Sequence, residues 1–145
     1  MLLSKSCSYG IRAAIYIATQ NDQQNVPIKD IAETLNISFH FLTKILQVLT
    51  KKGIINSVKG PKGGVALRKK PNEITILDII QAVDCDNIFD DCVLGLPGCS
   101  DDNPCPMHSS WGVLRKDLHN MLQKETIEDL AIQVKNKSIR LSDIN

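Results

Sequence analysis

The chain is poor in aromatic side chains, with one Trp, two Tyr and three Phe in 145 residues, and it has no long apolar run. Its most apolar early stretch, residues 11–18, falls far short of the ~20 residues a bilayer span requires, and no cleavage-site pattern follows it. Neither a membrane helix nor a secretory signal is therefore expected, and the predicted location is the cytoplasm. In that reducing compartment the five cysteines read as thiols or metal ligands rather than disulfides. Acidic residues are missing from residues 34–72, which hold Lys44, Lys51, Lys52, Lys59, Lys62, Arg68, Lys69 and Lys70 without one Asp or Glu. Basic residues are missing from residues 84–108, which hold six Asp and four of the cysteines. Beyond these cysteines no acid-base or nucleophilic constellation stands out, which argues against an enzyme.

A net charge of +1 conceals this segregation. Residues 1–72 carry 11 Lys and Arg against 3 acids, and the remainder carries 6 against 13. The first half suits a polyanion and the second does not. A solvated basic face ordinarily mixes in acids, so an acid-free stretch of this length favours nucleic acid as the partner, provided that its positive groups share one surface.

Ile11, Ala14, Ile15 and Ala18 recur at helical spacing and predict a first helix over residues 6–20. A second, short helix follows Pro27, with Ile28, Ile31, Ala32 and Leu35 on one face, and ends near Asn36. Ser38 is placed to cap a third. Two helices joined by about three residues form a helix-turn-helix. On the third helix Leu42, Ile45, Leu46 and Leu49 make one face, while His40, Thr43, Lys44 and Gln47 make another about half a turn away. The first set is predicted to pack and the second to face a DNA groove, as a recognition helix requires. Gly53 ends this helix. Residues 54–58 and 65–67 read as two strands joined by Lys59, Gly60, Pro61, Lys62, Gly63 and Gly64, a basic hairpin that would serve as a wing.

Thr75 and Asp78 form a capping box for a further helix with Ile76, Ile79, Ile80 and Val83 on its apolar side. The loop of about 25 residues that follows is longer than loops are without a functional reason. Trp111, Leu114, Leu118, Met121 and Leu122 then mark an amphipathic helix beginning near Ser109, and Thr126 with Asp129 caps a short final one. Pairing of the amphipathic helix with a second copy is preferred to folding back, because helix-turn-helix readers work as dimers on paired half-sites. The expected division is a winged helix-turn-helix over 1–72, a connecting helix and cysteine-rich sensor loop over 73–108, and a dimerisation helix with tail over 109–145. The predicted fold class is mainly α with a small β-wing.

Cys92, Cys99, Cys105 and His108 offer three thiolates and an imidazole, separated by six, five and two residues. Structural zinc prefers cysteine pairs two to four residues apart, whereas wider spacing can wrap an iron-sulfur cluster. A cluster is favoured on this ground, with zinc and metal-free redox thiols as alternatives. Cys85 is close enough to join the set. Cys7, at the start of the first helix, reads equally as a reactive thiol that could supply a further ligand or as a buried small residue.

The Tyr9-Gly10-Ile11-Arg12-Ala13 stretch, the helix from Ile28 with Ser38 after it, the wing from Ser57 to Gly64, the Ala82-Val83-Asp84 helix end and the Cys105-Pro106-Met107-His108 segment resemble the Rrf2 family of winged-helix bacterial regulators. The resemblance spans nearly the whole chain. It implies a transcription regulator that binds a pseudo-palindromic site on double-stranded DNA as a homodimer built on the long helix near Ser109. It further implies a cluster, 2Fe-2S ahead of 4Fe-4S, on Cys92, Cys99 and Cys105 with His108 as fourth ligand. DNA contacts carry over to His40, Thr43 and Lys44 and to Lys59, where the family commonly has arginine. Ser38, Gln47, Gly60, Pro61 and Lys62 complete the predicted DNA-contacting set. Two departures stand out: the Cys92–Cys99 spacing is one residue longer than in cluster-holding relatives, and Ser8 stands where nitric-oxide-sensing members carry a ligating aspartate. The expected signal is redox state, nitric oxide or iron-sulfur status. The rivals are a cluster-free or zinc-holding thiol-based regulator and an iron-sulfur electron carrier.

Overall fold

The computed structural model describes residues 2–20, 22–84, 87–137 and 139–142. Among these, six α helices and one two-stranded sheet run in the order α1 (Lys5–Thr19), α2 (Ile28–Leu35), α3 (Phe39–Lys51), β1 (Ile55–Val58), β2 (Gly64–Leu67), α4 (Ile76–Val83), α5 (His108–Lys124) and α6 (Ile127–Lys137). The mainly helical, winged fold is the one the periodicities predict.

Helices α1, α3, α4 and α6 start where a side chain can satisfy free N–H groups of the first turn, whereas α2 and α5 follow Pro27 and Met107 without a side-chain cap. The Ser4 hydroxyl accepts from Cys7 N–H at 3.0 Å, and the Ser38 hydroxyl lies 3.5 Å from Phe41 N–H. Thr75 and Asp78 form the expected reciprocal box, at 2.9 and 3.2 Å, and Thr126 with Asp129 repeats it. α2 stops at Asn36, whose φ of 52° reverses the chain into the turn before α3. The apolar faces of the first four helices converge: Ile31, Leu35, Leu42, Leu46, Leu49, Ile79 and Ile80 are all essentially inaccessible.

The antiparallel strands pair Ile55 with Leu67 and Val58 with Gly64, leaving residues 59–63 as the wing. Glycine is obligatory at its base. A Cβ on Gly63 would lie 2.2 Å from the Val58 carbonyl oxygen, and one on Gly64 2.3 Å from that of Val26. The second approach lets Val26 pair with Val65 through backbone bonds of 2.8 and 2.9 Å, which ties the entrance of α2 to the wing.

The last helix is longer than the short one expected. It has 11 residues and lies along α1, where Ile127 and Ala131 are buried. Arg12 fixes the segment beyond it, its Nε donating to the Leu141 carbonyl at 2.8 Å while its guanidinium also donates to the Leu35 carbonyl at 3.1 Å. α5 behaves differently. Leu122 is its one buried residue, and Val113, Leu114 and Met121 are 65, 59 and 52% exposed. No helix among the described residues is long and apolar enough to cross a membrane.

Candidate functional site

The two faces of α3 separate as expected: Leu42, Ile45, Leu46 and Leu49 are buried, while His40, Lys44 and Gln47 are exposed and Thr43 is half-buried. Thr43 differs from its predicted role in one respect. Its hydroxyl donates to the Phe39 carbonyl at 2.7 Å, so its proton is committed within the helix. The helix is braced from behind by Phe41, whose ring meets Tyr9 edge-on with centroids 5.7 Å apart. Ser38 and the wing residues Lys59, Gly60, Pro61 and Lys62 are exposed. The basic residues do not all share this surface. Lys52 and Lys69 line a shallow cavity with Glu73 and Asp78, so the acid-free stretch divides between two faces. Lys44, Lys59 and Lys62 remain with the reading helix and wing, and among the described residues none of the three forms an ion pair.

The cysteine loop folds onto the start of α5. The Cys92, Cys99 and Cys105 Sγ atoms lie within 4.8 Å of one another, with Cys92 and Cys105 only 3.5 Å apart. His108, the first residue of α5, sets Nδ1 3.2 Å from Cys99 Sγ. Its other nitrogen, Nε2, is held 2.9 Å from Asp101 Oδ1. That contact leaves Nδ1 as the nitrogen facing the thiols, the arrangement by which an outer carboxylate orients a metal-ligating imidazole. The four donors surround a cavity of about 260 Å³ that Trp111 and Arg115 also line.

Helix α5 supplies the loop's anchors. Trp111 Nε1 donates to the Asp91 carbonyl at 2.9 Å, Arg115 donates to that of Asp90 at 3.0 Å, and the Phe89 ring meets His119 edge-on. Trp111 was expected on the helix's apolar stripe; its indole N–H instead requires a polar partner and finds one in the loop. Asp101, Trp111 and Arg115 are thus site residues that the cysteine spacing alone does not reveal, although Asp101 stands only two positions beyond Cys99.

The thiols are electrostatically unequal. Backbone N–H groups of Leu96, and then Leu94, lower Cys92 from 9.0 to about 7. Desolvation, and then the neighbouring Cys92, raise Cys105. Cys7 does not join them. It is fully buried at the start of α1, and burial, followed by the adjacent Asp84 carboxylate, pushes it up to about 12. Asp84 also accepts from the Ser4 backbone N–H and hydroxyl, joining the end of α4 to the start of α1. Within one chain Cys7 is a buried residue of the core, apart from the three loop thiols. Cys85, the other additional candidate, lies outside the described residues.

Comparison with known proteins agrees with this geometry. The family model of the iron-dependent transcriptional regulators, Rrf2, matches residues 3–133. A candidate HTH-type transcriptional regulator of Aquifex aeolicus (strain VF5) is 36% identical over 141 residues, covering 96% of both chains. The HTH-type transcriptional regulator IscR of Pectobacterium carotovorum subsp. carotovorum (strain PC1) is 32% identical over 139 residues, or 96% of this chain and 82% of that one. Among solved structures, CymR, the global cysteine regulator of B. subtilis, superposes with a TM-score of 0.77 at 28% identity over 89% of this chain and 95% of its own. These relatives are regulators rather than enzymes. With its winged helix-turn-helix and a cysteine triad able to hold metal, the chain belongs to the Rrf2 family of DNA-binding transcriptional regulators.

Proposed function

We propose that the chain is a cytoplasmic regulator that adjusts transcription to redox, nitric oxide or iron-sulfur status through a cluster held by Cys92, Cys99 and Cys105 with His108 as fourth ligand. The observation that carries this reading is the convergence of three sulfurs within 4.8 Å beside an imidazole already oriented by Asp101. The donor set fits the group: soft thiolates suit iron-sulfur centres, with histidine an occasional ligand. When bound, the cluster supplies a centre that changes charge and stability on oxidation or nitrosylation; 2Fe-2S is preferred to 4Fe-4S.

The chain's own residues do the rest. The Leu96 and Leu94 N–H groups favour the Cys92 thiolate, the form that ligates. Trp111 and Arg115 join the loop to α5, whose exposed Val113, Leu114 and Met121 support a homodimer formed by pairing this helix with a second copy. A two-fold dimer presents two reading heads to a pseudo-palindromic duplex. In each head Ser38, His40, Thr43, Lys44 and Gln47 meet the major groove, while Lys59, Gly60, Pro61 and Lys62 meet the backbone. The working division is a reading head over 1–72, a sensor segment over 73–108 and a pairing segment over 109–145.

The test is an iron and acid-labile sulfide count per chain, with a visible spectrum, on anaerobically isolated protein. Near-equal iron and sulfide with charge-transfer absorbance is expected. Protein that takes up neither on reconstitution overturns the cluster. A second reading, a zinc ion on the same Cys₃His set, is favoured by the closeness of the three sulfurs; equimolar zinc without sulfide would select it.

A further inference from the structure

We infer that Phe39 is a specificity residue that reads thymine, by laying its ring against the C5-methyl group of a T·A pair in the major groove. This rests on the reading of α3 as the recognition helix and names what the leading end of that helix recognises. Phe39 is the first residue of α3 and is 53% exposed, whereas Phe41, two positions on, packs against Tyr9. Burying a large apolar side chain is favourable, so an isolated exposed Phe normally needs no comment. Its position makes it informative. Recognition helices present their N-terminal residues to base edges, and the only apolar group that B-DNA offers in the major groove is the thymine methyl.

Two further observations point to this occupant rather than to a protein partner. At about 100° per residue, Phe39, Thr43 and Gln47 lie in one row along the helix, each a turn apart. Thr43 has already given its hydroxyl proton to the Phe39 carbonyl, so at this end the row offers a ring, a methyl group and acceptor lone pairs, but no hydroxyl donor. The surroundings carry the charge of a phosphate-facing surface: Lys44 is exposed on the same helix, Lys59 and Lys62 are exposed on the wing, and among the described residues none of the three forms an ion pair. A protein surface would match the ring equally well, but it would leave those three cations without ion-pair partners unexplained. The half-site facing Phe39 is accordingly expected to require T, with the remaining bases read by His40, Lys44 and Gln47.

The experiment compares duplexes with and without the methyl group. A duplex is selected by the full-length protein, with and without its metal, from a randomised pool. It is then resynthesised with uracil in place of each thymine in turn. Wild type is expected to lose affinity about four-fold per half-site at one thymine position, the factor for withdrawing one methyl from an apolar contact. Phe39→Leu keeps that sensitivity. Phe39→Ala binds the thymine duplex more weakly but no longer distinguishes it from the uracil duplex. Lys59→Ala, which removes a phosphate contact, weakens both duplexes alike and retains the distinction. A wild type indifferent to uracil overturns the inference, as does a Phe39→Ala protein that still prefers thymine. A pool from which nothing is enriched instead removes the recognition-helix reading on which it stands. Because Phe39 is exposed, its variants are expected to keep the wild-type Tm, which separates a reading defect from a folding one.

Discussion

Residues 28–67 and residues 90–107 are segments of one chain held in place in opposite ways. In the first, Ile31, Leu35, Leu42, Leu46, Leu49, Ile55 and Val65 are 2% exposed or less. In the second no apolar side chain is buried; Val93, Leu94, Leu96 and Met107 are all more than 40% exposed. The reading head has a hydrophobic core that folds it whatever its ligand. The cysteine loop has three thiols, an imidazole and a few hydrogen bonds from α5, so the cluster proposed for it would supply much of its order. The asymmetry suits the proposed function, in which the loop responds to an occupant and the reading head survives its loss.

The comparison breaks most completely at the ligands. Cys99→Ala is expected to abolish iron binding and visible absorbance altogether, while the far-ultraviolet CD of the head is unchanged; equal loss of helix signal would show that the two regions are one folding unit. The next largest effect lies in the core. Leu49→Ala should cost about 2–5 kcal/mol in urea unfolding, whereas Leu94→Ala in the loop should stay within about 0.5 kcal/mol. Asp101→Ala leaves all four ligands but frees the imidazole, and is expected to weaken metal retention about ten-fold in a chelator competition, with Asp101→Asn recovering part of the loss. On the head, Lys59→Ala should lower the slope of log affinity against log salt by about one unit with little change in stability.

A further effect appears only at alkaline pH. Cys7 holds its proton up to about 12 in the fold, against 9.0 for the ordinary thiol. Its contribution to stability is therefore fully present below pH 9 and is lost as pH rises from 9 toward 12. Cys7→Ala should make the decline of the urea midpoint over that window shallower than in wild type.

The features legible in the sequence are those set by neighbours along the chain. The two faces of α3 follow from a 3.6-residue period, the caps at Ser38, Thr75 and Thr126 from side chains three residues from their partners, and the wing from glycines that a Cβ would obstruct. The packing of α6 on α1 and the tie from Arg12 to Leu141 join residues more than 100 positions apart, and no local period encodes them. The charge pattern indicated what the first half binds but not that Lys52 and Lys69 turn toward Glu73 and Asp78, because an acid-free segment can still fold against acids from elsewhere. At the site, cysteine count and spacing pointed to the three thiols that the fold brings together. The role of Trp111 stayed hidden because an indole on an amphipathic helix satisfies an apolar pattern even where its N–H decides its orientation.

His108 is both a donor beside the thiols and the opening residue of α5. From there to Val113 is about 8 Å along the helix axis, roughly one and a half turns. Under the proposed cluster and the proposed pairing of α5, a change in the loop would have only a single rigid segment to cross before it met the surface offered to a second copy. No relay of side chains is required, since a small tilt imposed on the first turn moves the whole rod.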